Sequence, residues 1–142
     1  MGKINYGRVI LGGIVAGIVA DIIDWLVDGL WLAPRWADGM KTLGHTAAFT
    51  TGQIVLFDLI GIAGGILAIW IYAAIRPRFG PGVRTAICAG LVTWALSVLL
   101  PNAAFMHVMH LFGAHLTLYT TLGGIVEIVV GTIAGAALYK ES

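Results

Sequence analysis

Residues 49–75, FTTGQIVLFDLIGIAGGILAIWIYAAI, hold one charged side chain, Asp58, and no proline. At about 1.5 Å of rise per residue, a helix of this length exceeds the ~30 Å hydrocarbon core of a bilayer. Gly61, Gly65 and Ala68 recur at spacings of four and three, which puts them on one helical face. The stretch lacks the period-two alternation of a membrane strand. It reads as a transmembrane helix, and the fold depends on how many more the chain contains.

Three further stretches qualify: residues 6–32, 83–100 and 116–139, the second of which can continue to His110 past a kink at Pro101. Between spans two and three, Arg76 to Arg84 contain Pro77, Gly80, Pro81 and Gly82, a run read as a turn that no helix crosses. The expected fold is therefore an all-α integral membrane protein, a four-transmembrane-helix bundle formed as one domain over residues 1–142. Composition agrees. The 142 residues are 59% hydrophobic and 11% charged, against about 25% charged in soluble domains, and mean hydropathy is +0.95. A net charge of +1 gives no basic surface for nucleic acid. Lys3 and Arg8 ahead of the apolar run 9–20 resemble an export signal. Cleavage after Ala20 would put Ile18, too large a residue, at the minus-three position. The one cysteine, Cys88, is expected to be a small buried apolar residue.

Basic residues set the expected orientation. Lys3, Arg8, Arg76, Arg78, Arg84 and Lys140 fall on one side of an even number of spans, and only Arg35 and Lys41 on the other. Six to two predicts both termini on the cytoplasmic side. Tyr6, Trp70, Tyr72 and Tyr139 then form the inner aromatic belt, and Trp25, Trp31, Trp36 and Tyr119 the outer one.

Helices in lipid gain little from burying apolar surface against each other and associate through small residues. Three spans carry a G-x-x-x-G pair: Gly13 and Gly17, Gly61 and Gly65, and Gly131 and Gly135. The acids share those faces. Asp21, Asp24 and Asp28 follow Gly17 at spacings of four, three and four, Asp58 precedes Gly61, and Glu127 precedes Gly131. On span three the matching stripe is Ala86, Gly90, Thr93 and Ser97. Counted along the helices, Asp21, Asp24, Asp58, Ser97 and Glu127 lie roughly 15–23 Å from the inner boundary, and no Lys or Arg shares that depth. An Asp at a helix centre costs about 2.5–3.5 kcal/mol on insertion scales. Neighbouring carboxylates there must share protons or hold a cation. The cluster Asp21, Asp24, Asp58, Glu127, Thr93 and Ser97 thus reads either as hydrogen-bonded glue between helices or as a proton, metal-ion or cationic-substrate site. Asp28, nearer the outer surface, is expected to be solvated.

A second group lies on the outer side. His107 and His110 are three apart, one face if helical, and with Met106 and Met109 they form a candidate metal site for copper, or for a haem or chlorin. His45 and His115 fall on the same side. Phosphate-binding glycine loops, a G-x-S-x-G elbow and a Cys–His pair at plausible depth are missing from the sequence. No catalytic residue is assigned, and an enzyme is not expected.

Gly7-Arg8-Val9-Ile10-Leu11-Gly12-Gly13, then Ile71-Tyr72-Ala73-Ala74-Ile75-Arg76-Pro77-Arg78-Phe79-Gly80-Pro81-Gly82 with Thr85-Ala86, and finally Val126-Glu127 with Gly135-Ala136-Ala137-Leu138-Tyr139-Lys140, resemble an uncharacterised family of small bacterial inner-membrane proteins frequent among Acidobacteria. The resemblance implies four helices in the inner membrane and supplies no activity. Asp21 and Asp24 stand where such proteins often carry Asn and Glu. Small size, short loops and glycine faces favour an accessory or scaffold subunit of a larger respiratory or photosynthetic membrane assembly. Its partners are then the bilayer and other membrane subunits, or copies of itself. The alternatives are a homo-oligomeric proton- or cation-coupled transporter or channel that uses the carboxylates, and a metal- or haem-binding protein that uses the histidines.

Overall fold

The computed structural model describes residues 3–46 and 49–141, and among them the only regular structure is helical. Helix α1 (Tyr6–Asp24) starts at Asn5, whose side chain accepts the Arg8 N–H at 3.1 Å, and widens into a π-helical segment, Trp25–Trp31. A short helix α2 (Ala33–Thr42) follows, begun by Pro34 in its first turn, where a missing N–H costs nothing. Helix α3 (Thr51–Phe79) is capped by a reciprocal Thr50–Gln53 box. Helix α4 (Val83–Trp94) passes through a second π-helical segment (Ala95–Leu99) into α5 (Leu100–His107), and α6 (Ala114–Ala136) completes the fold. Four units, Tyr6–Trp31, Thr51–Phe79, Val83–His107 and Ala114–Ala136, are long and apolar enough to cross a membrane.

Two boundaries differ from the sequence reading. The expected turn over 76–84 is confined to Gly80–Gly82, because α3 runs through Pro77 to Phe79. Pro77 stands near the helix end, where it disturbs little beyond one backbone bond. Gly80 at φ 81° and Gly82 at φ 127° make the reversal, in backbone regions that residues with a Cβ rarely enter. Span three does continue past Pro101. The segment Ala95–Leu99 widens just before that proline, with the Leu100 N–H bonded to the Ala95 carbonyl, and so makes room for a residue that has no N–H to give.

The four long units form a ring in the order α1, α3, α4, α6, with α1 and α4 at opposite corners. Glycine sets the spacing along both sides of α1. A Cβ added at Gly65 would lie 2.8 Å from the Gly17 Cα and meet the Gly13 carbonyl oxygen and the Gly17 nitrogen. Gly13 and Gly17 in turn face the backbones of Ile66 and Ile62. On the other side, a Cβ at Gly12 would stand 2.6 Å from the Gly135 carbonyl oxygen, and one at Gly131 would stand 2.5 Å from that of Ala16. Gly135 meets the Gly12 carbonyl oxygen in the same way. Five of the six G-x-x-x-G glycines, Gly13, Gly17, Gly65, Gly131 and Gly135, therefore sit at backbone-to-backbone contacts, and the sixth, Gly61, faces the Asp21 side chain.

Packing is uneven along the bundle. At the end that carries the termini, Val9, Ile69, Tyr72, Ala73, Ala86, Ala136 and Tyr139 form a buried core. Two tyrosines tie that end together. The Tyr72 hydroxyl accepts the Gly82 N–H at 3.2 Å, the Tyr139 hydroxyl accepts the Asn5 N–H at 3.3 Å, and the two rings meet edge to face. Arg76 pairs with Glu141 at 2.9 Å beside them. At the opposite end α3 leaves its neighbours, and every residue from Thr51 to Ile60 is exposed. There α2 lies against the chain just ahead of α6, with Trp36 edge to face on Phe112. Cys88, expected to be buried, is exposed. The inward stripe of α4 is Thr85, Ala86, Ala89, Gly90 and Thr93, and position 88 falls between its repeats.

Candidate cation site inside the bundle

Where α3 separates from the ring, a cavity of about 350 Å³ opens between all four long units. Its polar lining is Asp21 and Asp24 from α1, Asp58 from α3, Thr93 and Ser97 from span three, and Glu127 from α6. Ala16, Ala68, Phe57 and Ile60 supply apolar wall, and among the described residues no Lys or Arg lines it. The structure thus brings to one cavity all six residues of the polar cluster named from the sequence.

Small residues make the room. A Cβ on Gly61 would overlap the Asp21 carboxylate, so glycine on α3 is what lets that side chain sit between the helices. Gly123, one turn before Glu127, does the same: a Cβ there would come 3.3 Å from Glu127 Oε1 and 2.9 Å from Val27 Cγ1. Thr93 and Ser97 donate their hydroxyl hydrogens to their own helix, to the Ala89 carbonyl at 2.9 Å and the Thr93 carbonyl at 2.8 Å. Their oxygens therefore remain available as acceptors towards the cavity, and their hydrogens are not given to the acids.

The sequence reading left Asp28 in solvent, and the structure places it otherwise. Asp28 is half-buried, and Trp36 Nε1 of α2 donates to its Oδ1 at 2.7 Å. One carboxylate oxygen each from Asp24, Asp28 and Glu127 lies within 4.8 Å of the others. The spacing of four from Asp24 accounts for the position. Residues four apart share a face in an α-helix, and in the wider π-helical segment four residues make slightly less than one turn, so Asp28 stays on the face of Asp24. The spacing of three and four from Asp21 was the available signal in the sequence.

Glu127 is the most confined acid of the group. The residue is 8% exposed, and its Oε1 is buried without a hydrogen-bond partner. A carboxylate oxygen shut away unpaired costs several kcal/mol by general estimates. A cation among the three carboxylates, or protons shared between them, would remove that cost. Both π-helical segments border this region, one carrying Asp28 and the other Ser97, and such interruptions concentrate at functional sites.

The histidines are arranged differently from the expectation. Helix α5 ends at His107, and His110 lies beyond it in a left-handed conformation at φ 52°. The common helical face that their spacing suggests is therefore broken by the turn between them. Met106 is half-buried, Met109 is exposed, and His45, His107 and His110 are exposed. His115 stacks on Tyr119, over which Arg35 also lies at 5.2 Å.

No protein-family model matches the chain, nor does any curated protein or solved structure.

Proposed function

We propose that this is a multi-pass membrane protein that admits a cation to the cavity between its helices, as a small cation transporter or channel. The observation that carries the reading is the lining itself: four carboxylates from three helices around about 350 Å³, with no basic residue among the described residues that line it. Acids inside a membrane are costly and mark ion or proton pathways. Such a wall lowers the electrostatic energy of a cation and raises that of an anion. The six-to-two distribution of Lys and Arg supports cytoplasmic termini in a bacterial inner membrane. On that orientation the cavity opens towards the outer half of the bilayer, and the tyrosine-tied end closes it from the cytoplasm.

The test is flux. Purified protein reconstituted into liposomes that enclose a cation-sensitive dye should admit calcium or manganese ions, or exchange them for protons. Asp58→Asn should abolish the signal while leaving the protein folded and monodisperse. Folded protein in sealed vesicles that passes no more cation than empty vesicles would refute the reading.

One observation favours a second reading, a subunit of a larger membrane assembly or a homo-oligomer. The run from Thr51 to Ile60 is exposed on every side and includes Asp58, an acid that lipid alone would not accommodate. Copurifying chains, or a detergent-corrected mass above that of one 15.0 kDa chain, would support it.

A further inference from the structure

We infer that Asp24, Asp28 and Glu127 form a binding site for one hard divalent cation of calcium size. The inference deepens the cation reading above and rests on it for the ion's route. Two independent observations support it. First, the three carboxylates come from two helices and converge within 4.8 Å. Two oxygens bound to one ion at the 2.3–2.6 Å of calcium stand at most about 4.6–5.2 Å apart, so oxygens within 4.8 Å of one another are close enough to share such an ion. Magnesium dehydrates reluctantly and usually takes only one or two carboxylates, so three converging ones favour the larger ion.

Second, Glu127 Oε1 is shut in the protein with no donor near it, on a residue 8% exposed. The residue that bears this oxygen is one of the converging three, and a metal ion bound to its carboxylate at their meeting point would offset the charge left unpaired there. The donor set is all oxygen, with no histidine or cysteine among the three, which selects hard cations over copper or zinc. Charge also agrees. Three carboxylates against a divalent ion leave a small negative remainder, and the cavity beside them admits water to complete the coordination.

Trp36 contributes from outside. Its indole N–H holds Asp28 Oδ1 at 2.7 Å, which orients that carboxylate and leaves the other oxygen free. Hydrogen bonds of this kind commonly orient metal-ligating carboxylates. Asp21 and Asp58 lie outside the trio and line the remainder of the cavity.

The experiment uses the purified full chain in detergent, with terbium as a calcium-sized probe. Trp36, bonded to a ligand, should transfer excitation to bound Tb³⁺ and produce sensitised emission. The emission should saturate at one ion per chain and be displaced by Ca²⁺ at lower concentration than by Mg²⁺. Glu127→Gln and Asp28→Asn should each weaken Ca²⁺ displacement at least tenfold, while Asp38→Asn, at an exposed acid outside the cavity, changes it by no more than about threefold. Glu127→Gln removes a buried group and can misfold, so the half-buried Asp28→Asn and the wild-type titration decide the matter without it. Absence of a saturable site in folded wild-type protein, or binding that survives both trio variants, overturns the inference. Cation flux without this binding overturns the metal site alone, and this binding without flux overturns the transport reading alone.

Discussion

Replacing Gly65 with alanine, beside the same replacement at Gly64, isolates the energy of close helix contact. The two residues are neighbours on α3 with the same helix propensity to gain, about 0.5–1 kcal/mol from glycine to alanine. Their surroundings are opposite. An added Cβ at Gly64 meets nothing within 4 Å, because that position faces the cavity. At Gly65 the Cβ would lie 2.8 Å from the Gly17 Cα and closer still to the Gly13 carbonyl oxygen and the Gly17 nitrogen. Carbon atoms rest at about 3.5–4.0 Å, so α1 and α3 must part locally by about 1 Å. These are backbone atoms, which cannot turn aside as a long side chain would. Forcing extra volume into a packed contact typically costs about 1–3 kcal/mol. Propensity cancels between the two variants, so their stabilities should differ by that overpacking cost alone. Gly64→Ala should be neutral or more stable than the parent by up to about 1 kcal/mol. Gly65→Ala should be less stable, by about 0.5–2 kcal/mol once the propensity gain offsets part of the clash. Reversible unfolding in mixed micelles, followed by far-ultraviolet circular dichroism, measures both. Two variants of indistinguishable stability would refute the close approach of α1 and α3 at this level.

The remaining predictions concern orientation, Trp36 and the cap of α3. With Cys88 replaced by serine, cysteines placed at Phe79 and at Glu141 should resist an impermeant thiol reagent in intact cells and react after lysis. Labelling of either in intact cells would overturn the cytoplasmic placement. Trp36→Phe keeps a ring against Phe112 and removes the donor to Asp28, so calcium affinity should fall about tenfold or more. An unchanged affinity would mean that this hydrogen bond does not orient a ligand. Thr50→Ala should cost about 0.5–2 kcal/mol of stability by removing one half of the Thr50–Gln53 box, and no effect would show that the exposed start of α3 does not contribute to stability.

Hydropathy is a local sum over residues, and for that reason the number and approximate course of the four long helices can be read from the chain without any contact. Depth and face are equally local, since both follow from rise and turn per residue. They set Asp21, Asp24, Asp58 and Glu127 at one level beside glycines, and five of the six G-x-x-x-G glycines mark where backbones meet, while Gly61 makes room for Asp21. Features that depend on packing between helices or on departures from a regular helix were out of reach. Asp28 shares the face of Asp24 by spacing alone, but its distance to Glu127 depends on how α1 and α6 pack, and Trp36 reaches Asp28 because the short helix α2 folds back on the segment before it; neither is written in a hydropathy profile. His110 leaves the face of His107 because the chain reverses between them, whereas spacing alone assumes the helix goes on. The cavity is further still from the sequence. It exists because α3 packs tightly against α1 up to Gly61 and then diverges, and the angle between two helices is decided by every contact along both of them at once.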